Sequence, residues 1–522
     1  MSRTALRGGT LVDAAGSVRG DLLIEGDRIV AGDPRDADTV VDCSGRLVLP
    51  GFVDAHSHAD AAVFEPEVAQ ALLRQGVTTV VVGQDGVSFA PGDGIFATRY
   101  FAALNGRHPR YRGPGVAALL AGYDQAIPVN VAYLVPAGTV REQVCGLRPG
   151  PAMAAEVAAM QALVATGLAE GAVGLSTGLD YVPGLFADAA EIAALCRPVA
   201  RVDGLYVTHM RGGYEDNAAA GLAEVVDICR AAGVRGHVSH FHARSDLVRT
   251  LMDAASGQAD LTFDSYPYSR GSSVLSMLLL PPDLLRSGVA ACAAALADPD
   301  VRARVLRTWL PVLAARADMG PRWAEHVRYA HVAAAEYAWL PGLTMAEAAA
   351  RASVPAAELG LRALAASDLE VGVVMQTPVE RDDAELAGAI RHPAHLGGSD
   401  GIYRGAVPHP RGFGTFARYL QVFVVERGDL SWSDSVQHYS ARPAARFRLG
   451  DRGHLRPGGY ADVLVVDPEA VRARASYAEP RALAGGIDDV WVNGVRVLAG
   501  GALTGRTSGR GLRRSTGGTQ WN

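Results

Sequence analysis

Short apolar runs alternate with Ala-rich stretches of helical length through the middle of the chain, and this alternation limits the possible folds most strongly. The runs have the length of buried strands, whereas stretches such as 152–169 and 218–232 have helical composition. Parallel strands joined by crossover helices predict an α/β fold, a (β/α)8 TIM-like barrel. The eight predicted strands are 47–53, 78–82, 129–134, 171–175, 205–207, 236–238, 261–264 and 395–398.

The two ends of the chain have a different pattern, in which short β-like segments are punctuated by glycines. We expect residues 1–50 and 446–503 to pair into one small β-sandwich domain beside a barrel at 51–445. The gap between the seventh and eighth strands is long and contains helical segments, which predicts a helical insertion at about 271–393. The Gly-, Arg-, Ser- and Thr-rich tail, 504–522, is expected to be disordered or loosely docked.

Composition narrows the classes of function. A net charge of −6 without a basic stripe argues against nucleic acid as a partner, and the apolar runs are too short to span a membrane. The N-terminus has no apolar segment typical of a signal peptide, and the five cysteines are scattered without a Cys-x-x-Cys pair. These features predict a cytoplasmic protein of two or three structural units.

A histidine pair follows the first predicted strand. Because side chains alternate along a strand, His56 and His58 should project to the same side and could share one metal ion. Taken alone, the pair is better explained by two structural histidines. Other strand ends decide between the two readings.

Polar side chains follow most of the other predicted strands. The loops at the carboxyl ends of barrel strands meet at one mouth, where active sites lie, so these side chains should converge there. Four histidines and two aspartates in one place predict a metal site, with zinc as the first choice. Asp85 and Asp400 each precede a glycine, so a plain turn is the alternative for both, and it is the stronger alternative for Asp85. The predicted ligands are His56, His58, Asp85, His209, His240 and Asp400.

The motifs together resemble one known group. They include Pro50-Gly-Phe-Val-Asp-Ala-His-Ser-His, Gly174-Leu-Ser-Thr-Gly-Leu-Asp-Tyr-Val-Pro-Gly, Thr208-His-Met-Arg, Tyr266-Pro-Tyr, Gly398-Ser-Asp-Gly and Pro408-His-Pro-Arg-Gly-Phe-Gly-Thr-Phe. The chain is similar to the amidohydrolase superfamily and, within it, to the N-acyl-D-amino acid deacylases, or D-aminoacylases.

This resemblance implies a reaction and roles for single residues. The reaction is hydrolysis of the acyl amide of an N-acyl-D-amino acid to a carboxylate and a free D-amino acid, by metal-activated water with Asp400 as general base and acid. One metal position would lie among His56, His58 and Asp400, and a second beside His209 and His240. Tyr266 and Arg411 would orient the substrate carboxylate, with Ser272 nearby.

The chain departs from the family pattern at two positions. The family usually has a cysteine ligand where this chain has Asp85, and all 49 basic residues are arginine, so a carboxylated lysine cannot bridge the metals either. The site would hold one or two Zn²⁺ ions. Because a carboxylate at Asp85 is a harder ligand than a thiolate, it would weaken the selectivity for zinc, so Mn, Fe or Co could also bind. Where the family usually has a lysine that contacts the substrate carboxylate, this chain has His242. Either His242 itself or the nearby Arg270 would take over that role.

These departures leave alternatives open. The same site could cleave a related amide, such as a cyclic imide, a hydantoin-like ring or a D-amino-acid peptide, or the chain could be a non-catalytic scaffold. The sequence does not predict the acyl group, the side chain of the substrate or the oligomeric state.

Overall fold

The computed structural model describes residues 3–212, 214–316, 319–376 and 380–515. Among these residues, no helix is both long and apolar enough to cross a membrane. The strands, in chain order, are β1 (Arg3–Asp13), β2 (Gly16–Glu25), β3 (Arg28–Val30), β4 (Thr39–Asp42), β5 (Leu47–Pro50), β6 (Phe52–Asp54), β7 (Val77–Val82), β8 (Asn130–Pro136), β9 (Gly174–Gly178), β10 (Leu205–His209), β11 (Arg235–Val238), β12 (Leu261–Ser265), β13 (Arg270–Val274), β14 (Val327–Val332), β15 (Val371–Gln376), β16 (His395–Gly397), β17 (Val463–Val466), β18 (Ile487–Val492), β19 (Val495–Ala499), β20 (Ala502–Leu503) and β21 (Gly511–Leu512).

Helices connect the barrel strands and build most of the insertion. Two π-helical segments, Tyr419–Glu426 and Gln437–Ala441, follow the last barrel strand. The α-helices are α1 (Pro66–Arg74), α2 (Ile95–Tyr100), α3 (Ala102–Asn105), α4 (Val116–Tyr123), α5 (Ala137–Cys145), α6 (Ala154–Ala169), α7 (Ala189–Arg201), α8 (Ala218–Ala232), α9 (Ser245–Ser256), α10 (Leu275–Leu279), α11 (Val289–Leu296), α12 (Pro299–Thr308), α13 (Leu310–Ala315), α14 (Trp323–His326), α15 (Met345–Ala352), α16 (Ala356–Ala366), α17 (Asp383–Ile390), α18 (Arg411–Arg418), α19 (Trp432–Val436) and α20 (Arg442–Arg446).

The barrel is made of parallel strands in the order β6-β7-β8-β9-β10-β11-β12-β16. Backbone contacts link its first and last strands, because Ala55 N–H donates to the Gly397 carbonyl at 3.0 Å and Ser57 forms a parallel bridge with Gly401. The strands are buried on both faces, as expected for parallel strands covered by helices. The predicted (β/α)8 barrel is therefore confirmed.

The first predicted strand is two strands that belong to different sheets. The apolar run 47–53 divides at Gly51, so that β5 pairs with β1 and β17 while β6 opens the barrel. A Cβ at Gly51 would collide with the side chain of Thr78, so glycine allows the chain to pass between the sheets here. Consequently His56 and His58 lie in the loop after β6, and the strand alternation that we expected to align them does not apply.

Both ends of the chain pair into one nine-stranded sheet with the order β20-β19-β18-β17-β5-β1-β2-β3, and β4 lies beside β1. The pairing of β5 with β17 joins the two ends, with Val463 opposite Pro50. This sheet has its own apolar core, which includes Leu6, Ile24 and Trp491. The predicted domain built from both chain ends is confirmed.

The insertion between β12 and β16 contains a sheet as well as the expected helices. Strands β13, β15 and β14 pair antiparallel in that order, and Ser272 lies opposite Val374. The β13 sequence, Arg-Gly-Ser-Ser-Val, has no apolar alternation, so it carries no strand signal. The expected helical insertion is therefore present, with a three-stranded sheet added to its helices.

The tail is docked against the barrel as far as Ser515. Strand β21 pairs parallel with β8, with Gly511 opposite Val131, and Arg514 N–H donates to the Gly171 carbonyl at 3.0 Å. A loosely docked tail was thus the wrong expectation for 504–515, because backbone hydrogen bonds hold a segment whose side chains give no strand pattern. Residues 516–522 lie outside the described residues.

Candidate metal centre and active site

The predicted metal ligands meet at the carboxyl-terminal mouth of the barrel. His56 Nε2 lies 3.7 Å from both Asp85 Oδ1 and Asp400 Oδ1. His58 Nε2 lies 3.5 Å from Asp85 Oδ2 and 3.4 Å from Asp400 Oδ1. All four side chains are buried. Two histidines and two carboxylates therefore point at one small volume.

The other two histidines complete the cluster on the far side of Asp85. His240 Nε2 lies 3.7 Å from Asp85 Oδ1, and His209 Nδ1 lies 3.1 Å from His240 Nε2 and 3.9 Å from Asp85 Oδ2. Donor atoms fall within 4.8 Å of one another in two overlapping groups, His56 with His58 and Asp400, and His56 with Asp85 and His240. Asp85 therefore lies between two possible metal positions.

The donor set fits a divalent metal ion. His56 Nε2 and Asp85 Oδ1 are buried, and neither has a hydrogen-bond partner within the described residues. A buried polar atom without a partner costs free energy, which a bound cation would offset. Imidazole nitrogens together with carboxylate oxygens are ligands that zinc and the neighbouring first-row metals accept.

Three of these residues have left-handed backbone conformations. The φ angle is 55° at Asp85, 33° at His240 and 47° at Asp400. Aspartate adopts this region more readily than most residues, because its short side chain can hydrogen-bond locally. Strained conformations of this kind concentrate at functional sites. The Asp-Gly dipeptides that suggested plain turns thus aim carboxylates into the site.

The carboxylates of the cluster stay ionised despite burial. Burial raises the pKa of Asp85, but the close approach of His240 and His58 and the charge of His56 outweigh it and hold that pKa well below its ordinary value. Burial also raises the pKa of Asp400, and the Arg411 charge and His58 reverse the shift. For His58, burial lowers the pKa, but contacts with Asp400 and Asp85 raise it to about 10. The cluster therefore favours positive charge.

Sequence reasoning missed the residues that orient the metal-facing histidines. Asp264 Oδ2, at the end of β12, lies 2.9 Å from His237 Nε2 and 3.5 Å from His56 Nδ1. Burial raises the pKa of Asp264, but the His56 charge and the His237 hydrogen bond lower it by more, so the carboxylate is ionised. The signal for Asp264 was available, since it ends the seventh predicted strand.

Two further contacts hold the imidazoles of His209 and His58 by the nitrogen that faces away from the cluster. Asp180 Oδ2 lies 3.1 Å from His209 Nε2, and Asn105 Oδ1 lies 3.2 Å from His58 Nδ1. Such outer contacts fix the tautomer and orientation of a metal-binding histidine. Asn105 comes from a loop helix with no sequence signal, whereas Asp180 belongs to the motif that follows the fourth strand.

The predicted substrate-binding residues line one cavity beside the metal cluster. Arg411 is fully buried, its Nη2 donates to Asp400 Oδ2 at 2.8 Å, and its guanidinium lies 4.5 Å above the ring of Tyr266. Arg411 Nη2 also donates to the Ser272 carbonyl at 3.3 Å, whereas the Ser272 hydroxyl donates to the Val373 carbonyl at 2.9 Å. The backbone of Ser272, rather than its hydroxyl, therefore faces Arg411.

The two residues expected to replace the family's lysine differ in position. The ring of His242 lies 4.5 Å from that of Tyr266, and burial with the charges of His240, Arg381 and Arg411 holds its pKa well below the ordinary value. The guanidinium of Arg270 lies 4.2 Å above the ring of Tyr477. The imidazole is thus neutral, and the Arg270 charge is already stacked on an aromatic ring.

Comparison with known proteins agrees with the geometry. Residues 39–498 match the amidohydrolase family model. The D-aminoacylase of Alcaligenes xylosoxydans xylosoxydans is 32% identical, over 98% of this chain and 97% of that protein.

Two solved structures cover 98% of this chain and 99% of their own. One, a D-aminoacylase studied for its binuclear metal centre, is 29% identical with a TM-score of 0.80. The other, N-acyl-D-glutamate deacylase from Bordetella bronchiseptica in complex with zinc and a phosphonate that mimics the tetrahedral intermediate, is 31% identical with a TM-score of 0.81. The protein therefore belongs to the amidohydrolase family, in the group of the D-aminoacylases.

Proposed function

We propose that the protein is a metal-dependent deacylase that hydrolyses the acyl amide of N-acyl-D-amino acids to a carboxylate and a free D-amino acid. The observation that carries this proposal is the position of Asp400. Its Oδ1 lies 3.4 Å from His58 Nε2 in the metal cluster, and its Oδ2 accepts from Arg411 at 2.8 Å. One carboxylate thus connects the metal centre to the residue that would bind the substrate.

The residues allow two metal positions that share Asp85. His56, His58 and Asp400 would hold the first ion, and His209 and His240 the second. A divalent ion bound there supplies Lewis acidity and lowers the pKa of water. Zinc is the first choice, because zinc is present in the related N-acyl-D-glutamate deacylase. The carboxylate of Asp85 also makes Mn, Fe and Co candidates, since it is a harder ligand than a thiolate.

Asp400 moves the proton in this scheme. Because Arg411 and the histidines keep it ionised, Asp400 begins the reaction as a base and takes a proton from the attacking water. As the carbon–nitrogen bond breaks, the same carboxyl group returns that proton to the leaving amine. The new carboxylic acid gives up the second proton of the water to the amine or to solvent, so the products are a carboxylate and an amine, and Asp400 is again ionised.

Arg411 binds the substrate carboxylate. Its Nε and Nη1 are buried, and neither atom has a hydrogen-bond partner in the described part of the chain. A guanidinium has five N–H donors in a planar fork, which suits bidentate binding of a carboxylate. Since Nη2 of the same group contacts Asp400, a substrate carboxylate on Nε and Nη1 would place the neighbouring amide beside the base.

The test compares the two enantiomers of one substrate in the presence and absence of metal. Purified protein supplied with zinc or manganese should hydrolyse N-acetyl-D-amino acids, leave the L-enantiomers essentially intact, and lose activity on chelation. Asp400→Asn should lower kcat by roughly 100- to 10,000-fold. The matched control is Asp253→Asn. The Asp253 side chain is largely exposed, and its carboxylate pairs with His392 at 3.2 Å.

Two outcomes would contradict the proposal. One is equal turnover of the D- and L-substrates. The other is activity restricted to hydantoins or cyclic imides in the same assay, which would favour a related amide as the substrate.

A further inference from the structure

A second buried guanidinium reaches the cavity that holds Arg411 and His242. Arg381 lies just before helix α17, and its side chain is 6% exposed. Its Nη2 pairs with Glu215, whereas its Nε is buried and has no hydrogen-bond partner within the described ranges. The Nη2 end of this guanidinium is therefore paired with a carboxylate, and its Nε–H remains available to a ligand.

The unpaired nitrogen atoms around this cavity form a set. They belong to three side chains that all line it, Arg381 with Nε, Arg411 with Nε and Nη1, and His242 with Nε2, each buried and without a partner among the described residues. Leaving a buried charged donor unpaired costs more than leaving a neutral one. An anionic ligand would satisfy these donors, and carboxylate oxygens match the geometry of guanidinium groups.

Arg270 also lines this cavity, but its guanidinium is stacked on Tyr477 at 4.2 Å. Arg381 and Arg411, by contrast, are buried, and each has guanidinium nitrogens without a partner among the described residues. Arg381 thus brings a fixed positive charge with an unpaired donor to the cavity that holds Arg411.

We propose that Arg381 binds the carboxylate of the substrate together with Arg411, and that Glu215 holds the Arg381 guanidinium in position. This inference rests on the proposed deacylase function and extends it, because it assigns a specificity-determining residue that comes from the insertion. It differs from the sequence-based expectation, in which His242 or Arg270 took this role. It predicts that Arg381 distinguishes substrates by their charge at the carboxylate position.

The test compares an N-acetyl-D-amino acid with its carboxamide, which has the same shape and no negative charge. Arg381→Met should lower kcat/KM for the acid roughly 10- to 100-fold, mainly through KM, because a charge-assisted hydrogen bond is lost. The carboxamide, measured as a substrate or a competitive inhibitor, should change less than about threefold, since a neutral amide gains little from a buried cation. Arg381→Lys should fall between Arg381→Met and the wild type, because it keeps the charge without the fork.

Two further variants separate ligand binding from a structural role. Glu215→Gln removes the charge that holds Arg381 in position but keeps Arg381, so it should lower kcat/KM for the acid less than Arg381→Met does and still favour the acid over the carboxamide. Arg302→Met removes another arginine–carboxylate pair of the insertion, with Glu358 at 3.0 Å, and should leave both substrates unaffected. Thermal unfolding of each variant shows whether the insertion remains folded.

The outcomes are distinct. If Arg381→Met and Glu215→Gln weaken the acid and the carboxamide equally, Arg381 is only the structural partner of Glu215, and the inference is wrong. If Arg381→Met keeps the full wild-type preference for the acid, the inference is also wrong while the deacylase function stands. If the wild type hydrolyses no N-acyl-D-amino acid, the proposed function itself fails, and this inference fails with it.

Discussion

Asp85 is the residue on which the metal chemistry depends most. It lies within 4 Å of four histidine nitrogens and is ionised, although it is nearly fully buried. A thiolate at this position would bind softer metals, whereas a carboxylate broadens the set of metals accepted. The chain contains no lysine that could be carboxylated to serve instead.

Replacing Asp85 tests its part in metal binding. Asp85→Asn removes the negative charge between the two histidine groups, so we expect loss of most bound metal and a larger drop in kcat/KM than the roughly 10- to 100-fold typical of an outer contact. Asp85→Cys restores an anionic ligand and should retain metal, with a shift towards zinc. Elemental analysis and kcat/KM measure both effects. Full metal content in Asp85→Asn would show that Asp85 is not a ligand.

At the scale of elements, strand ends place the site, and much of this was predictable. The end of β10 and the mouth loops after β7, β11 and β16 carry the residues expected there, because the apolar runs and the polar residues behind them are local features of the sequence. The orienting contacts were not predictable in the same way. Asn105 reaches His58 across the mouth from helix α3, and no local pattern reports a contact between residues so far apart in the chain.

Strand β9 supports the Asp85 loop through a close backbone contact. A Cβ at Gly178 would collide with the backbone carbonyl of Asp85, so Gly178→Ala should displace that loop and lower metal content and activity. Gly122→Ala is the matched control, because a Cβ there meets only ordinary contact, with the Arg110 side chain at 3.8 Å, and alanine favours the helix. Normal metal content in Gly178→Ala would show that the loop does not depend on this contact.

The loop before helix α4 contains a histidine whose protonation opposes folding. His108 Nδ1 accepts from the Tyr111 backbone N–H at 2.8 Å, and its Nε2 lies 3.1 Å from the Tyr123 hydroxyl. Burial, with the nearby charges of Arg112 and Arg110, lowers the pKa of His108 to about 4. The His108 ring is therefore neutral in the folded protein, with its hydrogen on Nε2, so that Nδ1 can accept the Tyr111 hydrogen bond.

This histidine makes stability depend on pH below neutrality. Because the unfolded chain binds a proton at about pH 6.5 and the folded chain does not, the free energy of unfolding should fall between about pH 6.5 and 4, by at most about 3 kcal/mol for this residue. His108→Gln keeps an acceptor and a donor but does not titrate, so its urea midpoint should vary less between pH 7 and pH 5. An unchanged pH dependence would mean that His108 does not contribute.

At the scale of the whole molecule, the chain ends complete the structure around the barrel. Residues 3–50 and 463–503 form one sheet, and the tail returns to β8, where Val131 N–H donates to the Arg510 carbonyl at 2.9 Å and Gly511 N–H donates to Asp124 at 2.9 Å. The sheet was predictable from short β-like segments that are punctuated by glycines. The docked tail was not, because backbone groups make its contacts and its Gly- and Arg-rich sequence is typical of disorder.

Shortening the chain tests whether the tail stabilises the barrel. Ending the chain at Leu503 removes β21 and its backbone hydrogen bonds, which should lower the free energy of unfolding by a few kcal/mol, at about 1 kcal/mol for each hydrogen bond. Ending it at Ser515 keeps β21 and should leave the urea midpoint unchanged. Equal midpoints for the two shortened chains would show that the docked tail adds no stability.

The metal centre itself is tested most directly by an anomalous-difference map at the absorption edge of the metal that copurifies with the protein. We predict one or two peaks among His56, His58, His209, His240 and Asp400, about 2.0–2.2 Å from the ligand atoms, with the Asp85 carboxylate coordinated to at least one of them. No peak in this cluster, or a peak from which the Asp85 side chain has turned away, would contradict the proposed metal centre.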